Sequence, residues 1–142
     1  MRLKDIFESI FYESAQNRAN KAAKDKKDAL GLIDQAVEKL ENLNGSVKDQ
    51  FSRYKNDLIL FIRMLRAYFK GDYKNVPWKT IVKMLTVLVY FIFIIDFVPD
   101  FIPFVGYLDD LTLFGWMLKS IEGDLQRFEL WEQKQENLNE LS

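Results

Sequence analysis

The sequence predicts an all-α fold, a small helical bundle that contains one apolar helical hairpin. Apolar residues step by three and four along most of the chain, and no stretch keeps the period of two that a half-buried strand needs. The one place where helical spacing fails is dense in proline and aspartate, and so reads as the turn of the hairpin. At 142 residues the chain has the size of one domain, with room for a real core.

Composition narrows function before any motif is considered. Twenty Lys plus Arg against twenty-one Asp plus Glu give a net charge of −1, so no global field advertises nucleic acid, and no nucleic-acid partner is expected. The absence of Cys and His removes disulfides, thiolate nucleophiles, the usual zinc sites and imidazole bases. Chemistry is left to carboxylates, hydroxyls, amines and backbone. No reaction is legible, and the composition favours a protein that is not an enzyme. Hydrophobic residues make up 49% and aromatics 15%, an apolar surplus that must be covered somewhere.

Taken in order, residues 1–28 form an amphipathic helix and a charged linker. Leu3, Ile6, Phe7, Ile10 and Phe11 share one helical stripe, while Asp5, Glu8 and Glu13 break what a signal peptide would need as an unbroken apolar run, so the chain is expected to start in the cytosol. The text RANKAAKDKKD from Arg18 carries five cations and two anions with almost nothing to bury, and reads as a solvated helix or linker with a minor option of lipid-headgroup contact. Residues 29–70 form a helical seam. Leu30, Ile33, Val37 and Leu40 define one helix over 29–43; Val47, Phe51, Tyr54, Leu58, Phe61, Leu65 and Tyr68 define a second over 47–70, with Gly45 as stop and Ser46 as cap between them. The seam is expected to pack within the bundle, with a homo-oligomer left open.

Residues 71–135 hold the hairpin. Pro77 suits a helix start, and 77–95 carries charge only at Lys79 and Lys83. Leu111, Phe114, Leu118, Ile121, Leu125 and Phe128 then predict a single amphipathic helix over 108–133. The polar tail, 136–142, is expected to fray.

Between the hairpin arms stand Asp96, Pro99, Asp100, Pro103, Gly106, Asp109 and Asp110, spaced by apolar pairs. This pattern resembles the signature of the YkvA-like family, domain of unknown function 1232, found in many bacterial and archaeal proteins. The resemblance extends outward to Tyr73, Pro77-Trp78, Asp124-Leu125 and the segment 128–131. It departs where the family pattern has Ser-Pro and this chain has Phe93-Ile94. The resemblance implies small helical, membrane-associated proteins with no assigned reaction. A related segment occurs in the membrane part of some eukaryotic RING-type ubiquitin ligases, but without cysteines ligase activity does not transfer.

Two readings of the four aspartates stand side by side. As structural caps, Asp109 and Asp110 serve the start of the last helix, while Asp96 and Asp100 bond freed backbone in the turn. As a convergent cluster, they would need a proton or a hard cation such as Mg²⁺ or Ca²⁺ to relieve mutual repulsion. The capping reading is preferred, and a divalent-metal or carboxylate-dependent enzyme is the third-ranked function.

The apolar segment decides location. Residues 77–95 would cover ~28 Å as a helix, close to the ~30 Å of a bilayer's hydrocarbon layer. Cations precede the hairpin and its tip is acidic, so on insertion both ends would face the cytoplasm. Trp78, Tyr90, Tyr107 and Trp116 suit either an interface belt or a core. The leading expectation is a protein held on or in the cytoplasmic membrane by a short or re-entrant hairpin, acting by interaction, with a protein partner left open. The alternative is a soluble bundle, an interaction module in which the same run is the buried central helix.

Overall fold

Helices form where this sequence has long runs free of proline. A computed structural model of the chain describes the backbone of residues 3–42, 49, 52–97 and 111–141, and their side chains except those of 3–12, 94–97, 111–114 and 116. In order these are α1 (Leu3–Ala23), α2 (Lys26–Glu41), a 3₁₀ turn (Ser52–Tyr54), α3 (Lys55–Lys70), α4 (Trp78–Phe97), α5 (Leu111–Ser120) and α6 (Glu122–Glu140). Among the described residues there is no strand, and the fold is an all-α bundle.

The centre is α4. Residues 84–92 are at most 4% exposed, nine in a row over two and a half turns, so every side of the helix is covered. α1, α2, α3 and α5 all contact it, and α1 gives it the most extensive partner. The lone polar residue of the run, Thr86, turns its hydroxyl back to the Val82 carbonyl at 2.8 Å, which removes the cost of burying it. Of the aromatic residues that suit either an interface belt or a core, Tyr90 lies in this core and Trp78 is exposed.

Two expectations about the N-terminal half need correction. Of the two readings of the charged stretch from Arg18, helix or linker, the structure has helix to Ala23, but the stretch is not without buried surface: Ala19, Ala22 and Ala23 are buried together with Ala15. These alanines form one stripe at i, i+4, i+7 and i+8, and their small size permits a close approach between helix axes. In α2 the buried face is likewise Ala29, Leu32, Ile33 and Ala36, while Leu30, Val37 and Leu40 are only partly buried. Of the large apolar residues that suggested the stripe, Ile33 lies at its centre and the other three at its edge. α2 also starts three residues early, because Asp25 adopts an extended conformation and accepts hydrogen bonds from the N–H groups of Lys27 (3.0 Å) and Asp28 (3.3 Å).

In α3, Leu58, Phe61, Ile62, Met64, Leu65 and Phe69 are buried. The Gly45 stop, the Ser46 cap, Val47 and Phe51 lie outside the described residues. The stripe of α3 meets α6, as expected of the seam, and an Arg63–Glu132 ion pair at 2.8 Å lies across the contact. On α5, a Cβ built at Gly115 would come within 2.7 Å of the Tyr54 hydroxyl, so a larger residue there would have to displace the Tyr54 ring.

The predicted helix over 108–133 is two helices. Ile121 leaves the α-helical path, its N–H bonding the Leu118 carbonyl at 3.2 Å while the Ser120 hydroxyl bonds the Met117 carbonyl at 2.6 Å. The local hydroxyl and the tighter turn re-aim the chain while Ile121 itself stays buried. α6 extends through the polar tail to Glu140, in a sequence without glycine, proline or β-branched residues after Gly123.

Candidate functional site

Three places carry the sequence's polar information, and the structure treats them differently. The first is the acidic turn. Pro99, Asp100, Pro103, Gly106, Asp109 and Asp110 lie outside the described residues. Asp96 falls in the last turn of α4, where a carboxylate meets the negative end of the helix dipole. Its side chain is not described, so neither the capping reading nor the cation reading meets a geometry here. Among the described residues no group of three or more carboxylates is placed to hold a metal ion.

The second place is the corner between α3 and α4, and it is built from the chain upward. α3 ends at Gly71, whose φ of +87° only glycine adopts without strain. The Gly71 N–H bonds the Tyr68 carbonyl (3.1 Å) and the Asp72 N–H bonds the Ala67 carbonyl (2.9 Å), a double closure that satisfies the helix end. That turn drops Tyr73 into the core, 5.1 Å edge-on from Phe128 and 5.0 Å from Trp131, with Phe128 and Trp131 stacked at 5.7 Å. Burial holds the Tyr73 phenol above its ordinary range, against the pull of Arg127. On the same corner the Thr80 hydroxyl donates to the Asp124 carboxylate at 3.0 Å, and Asp124 also pairs with Arg127. Positions 73, 80, 124, 128 and 131, split between the two ends of the hairpin, are thus one cluster. Its groups are bonded to each other, which makes it a clasp that closes the base of the α4–α5 hairpin.

The third place is the α1–α2 corner, which the sequence marked only as charged. Arg18 of α1 donates twice to Asp28 of α2, at 2.7 and 2.6 Å, across the break between the helices. That bonding holds the Asp28 carboxyl below its usual range and raises the Arg18 guanidinium. A surface groove of about 600 Å³ opens beside the pair, lined by Arg18, Lys21, Asp25, Lys27, Asp28, Gly31, Leu32 and Gln35. No single residue type announces it. Cations spaced at 18, 21, 24 and 26–27 around an Asp cap were the available signal.

Comparison with known proteins bears on the hairpin. The family described as a protein of unknown function, DUF1232, matches residues 80–116, from Thr80 of the clasp through the acidic turn into α5. An uncharacterized membrane protein of Bacillus subtilis (strain 168), YkvA, is 31% identical over 71 residues, which cover 50% of this chain and 67% of that protein. No solved structure matches the chain. The shared segment contains the acidic motif and the central helix, and on that basis the chain belongs to the YkvA-like DUF1232 family.

Proposed function

We propose that the chain is a membrane-associated helical protein that acts by interaction rather than by turnover, attached at the cytoplasmic face through its hairpin. The observation that carries this reading is the relative described as a membrane protein, combined with a segment between Lys83 and Lys119 that holds no Lys or Arg. Lys79 and Lys83, exposed on the first turns of α4, suit the headgroup level, with both ends of the hairpin on the cytoplasmic side. Among the described residues no helix is long and apolar enough to cross a membrane.

The burial of residues 84–92 supports a second reading, the soluble bundle in which α4 is the central helix wrapped by its own chain. An apolar helix already covered by protein has little surface left to offer to lipid. Extraction separates the two. A membrane-associated protein stays with the membrane fraction through high salt, and carbonate then distinguishes surface attachment from insertion. Protein that is monodisperse at high concentration without detergent, and absent from the membrane fraction, establishes the soluble bundle instead. Thermal melts with chelator and with millimolar Mg²⁺ or Ca²⁺ address the remaining metal-dependent reading: coincident curves favour capping aspartates, and a cation-dependent rise removed by Asp100→Asn favours a cation site.

A further inference from the structure

We infer that the groove at the α1–α2 corner binds the phosphate of an anionic lipid headgroup, an inference that rests on the membrane reading above and names its lipid class. The charges here do not cancel. Asp28 has both oxygens engaged by Arg18, and Asp25 is turned inward onto the N–H groups of Lys27 and Asp28. Lys21, Lys24, Lys26 and Lys27 are all exposed, and none forms a direct ion pair with a described residue, although Lys21 also acts on the Asp28 carboxylate at longer range. Because Asp25 already fills the start of α2, anion binding falls to the lysine ammoniums and not to the helix end.

Within the corner, Lys21 and Lys27 line the groove, whereas Lys24 and Lys26 do not. Gly31 leaves the groove open, since a Cβ built there meets nothing within 4 Å. Gln35 adds an amide donor farther along the wall, and Leu32 offers an apolar contact suited to the glycerol side of a headgroup. Arg18 and Asp28 form a neutral pair beside the opening, so the positive charge of the groove rests on Lys21 and Lys27. The Arg66–Asp34 contact at 3.2 Å ties α3, which leads into α4, to this same helix α2.

The test is co-sedimentation of the full chain with phosphatidylcholine vesicles with and without phosphatidylglycerol, repeated with added inorganic phosphate at matched ionic strength. Wild type is expected to bind more tightly when phosphatidylglycerol is present. Lys21→Gln/Lys27→Gln should lose about twenty-five-fold of that affinity, roughly fivefold per lysine at ~1 kcal/mol each. Lys24→Gln/Lys26→Gln, which removes the same charge outside the groove, should lose less. All four side chains are exposed, and unchanged thermal melts confirm that the variants are folded. Equal losses for the two pairs overturn the groove in favour of diffuse charge. Displacement by inorganic phosphate at matched ionic strength, lost in Lys21→Gln/Lys27→Gln, supports phosphate recognition in the groove, whereas free phosphate that leaves vesicle binding unchanged overturns it. Binding that ignores phosphatidylglycerol and the Lys21/Lys27 change overturns the groove and leaves the membrane reading standing; no binding to either vesicle overturns both.

Discussion

Helices α4 and α6 have nearly the same length, 20 and 19 residues, yet they are helical for different reasons. α4 is buried on all sides across residues 84–92, and its conformation is locked by neighbours that leave its amides nowhere else to bond. α6 buries only Leu125 and Phe128, and everything from Gln133 to Leu141 is exposed, including Leu138 and Leu141. Its outer half persists through local hydrogen bonding among good helix formers, a weak support that water can contest. Stability is therefore concentrated in the central helix and its contacts, and falls away toward the C-terminus.

The largest test of that contrast is a core truncation in α4. Phe91→Ala removes a fully buried ring from the centre and should cost about 3–5 kcal/mol in chemical denaturation, whereas Leu138→Ala, at 59% exposure, should change stability by less than about 0.5 kcal/mol. Comparable effects from the two would mean that the outer half of α6 is covered in solution.

The clasp that joins the two helices comes next. Gly71→Ala forces a side chain into φ +87° and should cost about 1 kcal/mol. Its intrinsic Tyr73 fluorescence should change if the turn shifts. The control is Gly31→Ala in open space on α2, which should instead stabilise by up to ~1 kcal/mol through helix propensity. Gly115→Ala lies between them, since the same propensity gain meets the Tyr54 hydroxyl.

A smaller effect is expected at the α1–α2 corner. Asp28→Asn weakens a partly exposed pair and should cost at most ~1 kcal/mol. The Asp28 carboxyl lies below its ordinary value in the folded chain, so its contribution is present above the unfolded value of 3.8 and is lost as pH falls through the folded one. In acid titrations of stability the variant should therefore converge on wild type at the low-pH end. Tyr73 acts in the opposite sense: its folded value is raised, so the folded chain keeps its proton longer, and stability should fall as pH rises past about 10.

The smallest change should come from deleting residues 136–142. Only helix already open to water is removed, so the midpoint of unfolding should hardly move while the helical signal drops. A large loss would show that α6 is held along its full length, and the contrast with α4 would fail.

Much of this architecture was legible in the amino acids alone. Helical spacing identified the all-α class, the start of α4 after Pro77 and the stripe of α3, because large apolar residues at three and four report a buried face directly. The acidic proline motif identified the family, since so many constrained positions in one short stretch rarely coincide. The buried alanine face of α1 was not legible. Alanine is compatible with water or with core, and only the closeness of a neighbouring helix decides between them. The same holds for the apolar run 84–92, where hydropathy reads alike for a membrane segment and a core helix. Tertiary packing alone decided that this chain's own helices surround it, because burial is a property of what lies opposite a residue and not of the residue itself. The clasp and the basic groove belong to the same class: Thr80 meets Asp124, and Lys21 shares a wall with Lys27, only after the helices have chosen their partners.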